Sequence, residues 1–383
     1  MKIAHLIYTH GISGAEKYLK HLLPGLKQEG IECDLIVVCP KHVASILRNY
    51  CTEMQELGIK TSLIVSTRLS IFNTANKLAV YLKANKINIL HSHLLNSDLI
   101  AAIMKTFFYR NVYIISTKHG YQEKVLQQYE PGKFIKLSDL YYTITRFTLR
   151  KINVNVAVSK GLAELYHDLK ISNELFPYIH HGITVTDFNA ADYREECRKS
   201  AQQLIIVGRI ELFKGHRYLI DALPAVVKAF PATKLLVLGE GSEKNNCIAQ
   251  IEKLGMQDHV EFLGFKDHPY SYIANSDVII LPSLFEPFGL VYIEAFALKT
   301  PVVAFNSPAG NEIMEDEKTA LLVNRHDSAG LAEKIIFLLA NKDKAEEMSE
   351  RAFAAYKTRF TTEVMVKNTA TWYKSLGLTG LSV

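Results

Sequence analysis

Leu281-Pro282-Ser283-Leu284-Phe285-Glu286-Pro287-Phe288-Gly289-Leu290-Val291-Tyr292-Ile293-Glu294-Ala295 reads as the end of a buried strand, a loop and the start of a helix. The run Val278 to Leu281 is apolar at every position, as a strand covered on both faces requires, and Pro282 ends it. From Gly289 to Ala297 the pattern is helical, and the first amides of a helix have no partner inside it. Such a start attracts anions, and in a doubly wound sheet ligands sit beyond the carboxyl ends of the strands. These amides therefore suit a diphosphate. Carboxylates repel phosphate, so Glu286 and Glu294, eight positions apart, are assigned to hydroxyls: Glu286, ahead of the helix, to those of a sugar, and Glu294, more than a turn inside it, to those of a ribose. The plainer alternative has Glu286 capping the helix and Glu294 facing solvent.

Working outward, short β-branched runs alternate with helix-length amphipathic stretches along nearly the whole chain, which is the signature of parallel sheets with helices on both faces. The class is α/β. Strands are expected at Ile3–Tyr8, Asp34–Val38, Thr61–Val65, Ile87–Leu90, Val112–Ser116 and Val154–Ala157. A second series follows at Leu204–Val207, Leu235–Leu238, Val260–Leu263, Val278–Leu281, Pro301–Ala304 and Ala320–Val323. Between the two series lies the polar stretch His180 to Phe188, with Gly182, which places the domain boundary near residue 182. Only helical patterns follow Ser328.

The segment Val207-Gly208-Arg209-Ile210-Glu211-Leu212-Phe213-Lys214-Gly215 stands just after the opening strand of the second series and before a helix. Arg209 offers a planar fork of donors and Lys214 a point charge, a combination able to neutralise a leaving diphosphate. In a surface loop the same two residues would simply be solvated. The first half offers a glycine-containing loop, Thr9 to Gly14, after its first strand, and His119 at the carboxyl end of its fifth.

At 383 residues the chain fits two domains, and 48% hydrophobic with 22% charged residues is a globular composition. No apolar run approaches the ~20 residues of a membrane span. Met1 to Tyr8 reads as a first strand rather than a signal peptide. Cys33, Cys39, Cys51, Cys197 and Cys247 are scattered, without metal-ligand spacing, and suit reduced thiols of a cytoplasmic protein. No G-x-G-x-x-G follows either opening strand, which speaks against NAD, and no D-x-D pair suggests a metal.

Taken together, Glu286-x7-Glu294, Gly208-Arg209, Lys214-Gly215, Pro301-Val302-Val303-Ala304 and the early Gly14-Ala15-Glu16 make the chain resemble family 4 of the retaining glycosyltransferases over nearly its whole length. The resemblance implies the GT-B fold: two facing Rossmann-like domains with a cleft between them. Residues 1–182 would bind the acceptor, 183–360 the nucleotide sugar, and 361–383 would carry a helix returning to the first domain. It implies a metal-independent, retaining hexosyltransferase-like enzyme that needs no cofactor and uses a UDP-sugar or GDP-sugar. Its acceptor would be a glycan or a lipid-linked hydroxyl, in cell-surface polysaccharide or glycolipid synthesis. Arg209 and Lys214 would hold the diphosphate with Gly14, Gly208, Phe288, Gly289 and Leu290 around the donor, Glu286 would touch the transferred sugar, Glu294 the ribose, and His119 would lie near the bond that breaks. This chain has Ser13, His181, Thr184 and Lys299 where the family often has glycine, asparagine, aspartate and glycine. The rival readings are a GT-B-fold sugar-nucleotide epimerase and a non-catalytic sugar-nucleotide or glycan-binding subunit.

Charge is uneven. The whole chain carries +5, yet residues 105–151 alone hold nine basic and three acidic residues, a net +6. Phe107, Phe108, Tyr109, Phe134, Tyr141, Tyr142 and Phe147 are interleaved with them, a mixture suited to the anionic surface of a membrane's inner face. The plainer alternative is a solvated face over core aromatics. No nucleic-acid-binding motif accompanies the charge.

Overall fold

The computed structural model describes residues 1–66, 71–126, 128–129, 139–185, 202–266 and 269–378. Cys197, Glu130, Lys133, Phe134, Lys136 and the linker residues Thr186 to Phe188 lie outside them. The chain divides into two compact units: Met1–Tyr121, Glu130–Gly182 and Thr362–Val383 form the first, and Gln122–Tyr129 with Ile183–Thr361 the second. The segment Gln122–Tyr129, which the sequence partition leaves in the first domain, thus groups with the second.

Unit 1 holds the strands β1 (Lys2–Tyr8), β2 (Glu32–Pro40), β3 (Lys60–Ser66), β4 (Ile89–His93), β5 (Tyr113–Lys118) and β6 (Val154–Ala157) in the order β3-β2-β1-β4-β5-β6. Unit 2 holds β7 (Gln202–Val207), β8 (Thr233–Leu238), β9 (Val260–Gly264), β10 (Val278–Leu281), β11 (Val302–Phe305) and β12 (Leu321–Val323) in the order β12-β11-β10-β7-β8-β9. Every pairing is parallel. In each unit the first and fourth strands are neighbours, so the order reverses there. These are the doubly wound switch points, β1/β4 and β7/β10. The twelve expected strands are present, with ends displaced by up to three residues. Pro301 stays outside β11, since it has no N–H for the ladder.

The inner strands β1, β2, β4 and β10 are buried because both faces are covered. In β1, Ile3 and Ile7 pack on one side with the helix Gly14–Gln28, while Ala4 and Leu6 pack on the other with the helices Ile71–Ala84 and Leu95–Phe107. The period-2 alternation of a strand puts His5 on the first side, and in β4 it puts His91 and His93 there with Ile89. That side is closed by the C-terminal helix Thr362–Ser375, whose Met365, Val366, Ala370 and Tyr373 belong to the same core. Helix Gly14–Gln28 approaches it closely at Gly25, where an added Cβ would stand 2.4 Å from Val366. No helix among the described residues is long and apolar enough to cross a membrane.

Candidate active site

In unit 2, the two loops singled out in the sequence leave adjacent strands at the switch point. After β7, Gly208 and Arg209 lead into a single 3-10 turn, Leu212–Lys214, and Gly215 opens the helix His216–Ala229. After β10, Pro282 to Phe288 lead to Gly289, which opens the helix Leu290–Ala297. A backbone bond from Leu284 N to Phe213 O, 2.7 Å, ties the loops together. Gly215 has φ 74°, and a Cβ there would meet Pro282 O at 1.9 Å. Gly215→Ala is therefore expected to cost about 2 kcal/mol or more, read as a lower denaturation midpoint with an unchanged slope.

Lys214 Nζ lies 2.5 Å from Glu286 Oε1, and Ser283 Oγ donates to the same oxygen at 2.8 Å. The side chains are 19% and 12% exposed, so the pair is only partly screened. Lys214 keeps donors for a further anion, because an ammonium has three and one is used here. Glu286 does not cap the helix: no side chain does so at Gly289, and the helix start is open to an anion. Arg209 and Lys214 both lie over the buried ring of Phe213, at 5.6 and 5.5 Å. Arg209 also pairs with Glu123, an exposed contact of little energetic weight. Phe288 is buried, Leu290 is the first residue of the helix, and Glu294 lies half-buried on it. Near Glu294 is Tyr270, whose hydroxyl is held above its ordinary pKa, first by burial and then by that carboxylate. Gly208, Arg209, Lys214, Glu286, Phe288, Gly289, Leu290 and Glu294 thus all belong to unit 2.

Gly14 and His119 belong to unit 1. Gly14 is the first residue of its helix, and Ser13 caps it: Glu16 Oε2 accepts from Ser13 N at 2.8 Å and from Ser13 Oγ at 2.7 Å, the reciprocal half of a capping box. A glycine at position 13 would lose the second of these bonds. Lys299 has φ 54°, so a lysine occupies a left-handed position where glycine is unstrained.

His119 is joined to histidines that the sequence reading did not single out. His5 Nδ1 and His93 Nε2 are 3.0 Å apart, and His93 Nδ1 and His119 Nε2 3.1 Å. Ring centroids 5.3 Å apart in both pairs match end-to-end contact rather than stacking. The three rings form a relay in which the tautomer of one fixes the next. His91 stacks on His93 with centroids 4.5 Å apart, and its nitrogens meet Tyr373 Oη and Thr117 Oγ1 at 2.5 and 2.7 Å. His181 and Tyr18 pack against His119. Burial, above all, pushes His5 and His119 down to about 3 and His91, His93 and His181 well below 6.5, so all five are neutral near pH 7. His5, His91 and His93 are near enough to share an ion, but both ring nitrogens of His91 and of His93 are engaged in hydrogen bonds. The signal available in the sequence was His91-Ser92-His93, two histidines on the inward side of a strand.

Two doubly wound sheets, with a cation, carboxylates and an open helix start at the second switch point, define a nucleotide-site enzyme of the GT-B class. Two family models tile the chain: Glycosyltransferase Family 4 over residues 12–187 and Glycosyl transferases group 1 over 190–355. The chain belongs to the group 1, family 4 glycosyltransferases. It is 27% identical to the N-acetyl-alpha-D-glucosaminyl L-malate synthase of Bacillus anthracis, over 78% of this chain and 77% of that one. It is 31% identical to the phosphatidyl-myo-inositol mannosyltransferase of Mycobacterium leprae, over 54% of this chain and 55% of that one. Among solved structures, Anabaena HepE in complex with UDP and glucose matches with a TM-score of 0.77 at 20% identity, over 98% of this chain and 100% of that one, a likeness of fold.

Proposed function

We propose that the protein transfers a glycosyl group from a UDP-sugar or GDP-sugar to an acceptor hydroxyl, with retention of configuration and without a metal, in cell-surface polysaccharide or glycolipid synthesis. The observation that carries this reading is the Lys214–Glu286 pair beside the open start of helix Leu290–Ala297, at the β7/β10 switch point. Arg209, Lys214 and the helix amides supply the positive electrostatics that a divalent cation supplies elsewhere. Glu286 Oε2, which takes no hydrogen bond from a described residue, faces the sugar hydroxyls, and Glu294 the ribose. HepE's complex with UDP and glucose supports a nucleotide-sugar donor. A thermal-shift panel of nucleotides and nucleotide sugars tests it: the correct donor at 100 times its Kd adds about 2.7 kcal/mol, and a flat panel rejects the reading. NMR of the product anomer tests retention, which an inverted product would disprove.

The acceptor is a glycan or lipid-linked hydroxyl reached at the inner face of a membrane. Lys118 does not belong to the basic surface, because it is 4% exposed. Lys124 lies in unit 2. In unit 1, Arg110, Arg146, Arg150 and the half-buried Lys105 and Lys151 remain among the described residues, with Leu140, Phe107 and Phe147 at 75%, 62% and 39% exposed. Arg146 and Arg150 also line a cavity of about 540 Å³. Sedimentation with anionic vesicles should deplete the protein from the supernatant, with loss of binding in high salt and on changing Arg146, Arg150 and Lys151 to glutamate. Equal recovery with neutral and anionic vesicles would remove this part of the proposal.

A further inference from the structure

We infer that His93 and His5 are positioning residues that hold His119 in the tautomer with its proton on Nδ1, so that His119 meets a ligand oxygen as a hydrogen-bond donor; this rests on the transferase reading and adds two residues to its machinery. All three rings belong to unit 1. His119 follows the carboxyl end of β5, the side on which a doubly wound sheet receives its ligand. His5 on β1 and His93 on β4 stand behind it, and both are fully buried.

A neutral imidazole has one N–H and one lone pair, so each contact in the chain needs a proton on one side and a lone pair on the other. His119 Nε2 meets His93 Nδ1 at 3.1 Å, and His93 Nε2 meets His5 Nδ1 at 3.0 Å. With three neutral rings, only two arrangements satisfy both contacts. In the first, every proton sits on Nδ1: His5 donates to His93, His93 donates to His119, and the N–H left over is that of His119 Nδ1. In the second, every proton sits on Nε2, the bonds run the other way, and the N–H left over is that of His5 Nε2. No ring can change tautomer alone, because a contact would then hold two protons or two lone pairs.

The ends of the chain decide between the two. Neither His5 Nε2 nor His119 Nδ1 has a hydrogen-bond partner among the described residues. His5 is fully buried, so an N–H on its Nε2 would stay orphaned for as long as the protein is folded, and orphaned buried N–H groups are rarer than under-used acceptors. On His119 Nδ1 the same N–H is unpaired only until a ligand oxygen arrives. The arrangement with every proton on Nδ1 is therefore the one held. His91 imposes no choice of its own: its nitrogens meet the hydroxyls of Tyr373 and Thr117, each able to donate or to accept, and its ring stacks on His93. Tyr18, buried and edge-on to His119 with centroids 5.2 Å apart, holds that ring against His93.

Long-range proton–nitrogen NMR spectra of the full chain, labelled with nitrogen-15 at histidine and held at about pH 7.5, read the tautomer of each ring. His5, His93 and His119 should all carry the proton on Nδ1; a proton on Nε2 of any of them, or a mixture, would overturn the inference. His5→Leu keeps the core filled but removes the donor at the head of the chain. It should release His119 into a mixture of tautomers and lower kcat about tenfold, the weight of one neutral hydrogen bond, with KM for the nucleotide sugar unchanged. His5→Asn, whose side-chain N–H stands near the place of Nδ1, should restore both the tautomer and kcat. The probe for kcat is whichever of UDP-glucose, UDP-N-acetylglucosamine and GDP-mannose gives the largest thermal shift, and the melting curve of each variant reports that it is folded. Equal losses in the two variants, or full kcat in a His5→Leu whose His119 tautomer has changed, would reduce His5 to packing and overturn the inference. Should His5→Leu fail to fold, the spectrum of the unaltered protein still decides the tautomer. Protons on Nδ1 of all three rings in a protein that turns over no nucleotide sugar would support the tautomer assignment and sink the transferase reading instead.

Discussion

Arg209→Ala is expected to lower turnover by on the order of 10²-fold or more with no change in stability, and Lys214→Ala to lower it at least as far. On the proposed function each removes a donor aimed at charge that develops on the leaving diphosphate, so the loss is expected to fall on the transition state. The two variants differ in what they leave behind. Arg209 is 59% exposed and its partner Glu123 44%, so truncation strands no buried charge. Lys214 leaves Glu286, 12% exposed, with only Ser283 as a partner among the described residues, and part of its effect will be a stability cost. The Arg209 variant is therefore the clean test, with kcat/KM and thermal stability measured on the same sample. A turnover loss that merely tracks loss of folded protein would contradict the assignment. Lys214→Ala combined with Glu286→Gln removes the stranded charge and should recover stability without recovering turnover. On the same logic Glu286→Ala weakens sugar discrimination more than nucleotide binding, while Glu294→Ala weakens nucleotide binding itself.

What could be seen in the sequence was local. Val278 to Leu281 announces a strand buried on both faces by its unbroken apolar run, and Glu286, Gly289 and Glu294 follow within one loop and one helix. Arg209 and Lys214 share a single strand-loop-helix turn. What could not be seen depended on pairings across the sheet. β4 was expected at Ile87–Leu90 because the apolar run stops there, yet the strand continues through His91 and His93, whose partners lie 282 and 88 residues away in the chain. Composition alone ranks a histidine in such a place as a polar end. Lys118 was counted with a surface charge because lysines are rarely buried unpaired, and its partner Asp98 stands 20 residues off on a helix. The basic stretch is also broken by Gln122–Tyr129, whose Tyr129 packs edge-on against Phe285 at 5.5 Å. Nothing in its composition marks that excursion.

Unit 1 should lose its fold in mild acid, between about pH 5 and pH 6, well before the carboxylates titrate. His5, His91, His93 and His181 are 0%, 1%, 0% and 6% exposed. Burial is the leading cause that holds each of them in the neutral form, and the charges acting on them come from other histidines and Lys118, all of which oppose protonation. Among the described residues no carboxylate is a cause of these shifts. A histidine whose folded pKa is depressed binds its proton only in the unfolded chain as pH falls below about 6.5, so acid favours unfolding, and the penalty grows until the folded pKa is reached. One pH unit below 6.5 this amounts to about 1.4 kcal/mol for each such group, and four of them bring the loss at pH 5.5 to about 6 kcal/mol. A domain holds only about 5–15 kcal/mol in all. Among the described residues unit 2 contains one comparable group, His216, pushed down to about 3 chiefly by burial, so its stability should fall far less over the same range. Calorimetry between pH 7.5 and 5 checks the asymmetry: one transition should move down steeply and the other slowly. Stability that stays flat from pH 7.5 to 5 would mean that the histidine relay accepts protons in the folded state, and with it the picture of His119 and four neutral rings behind it would fall.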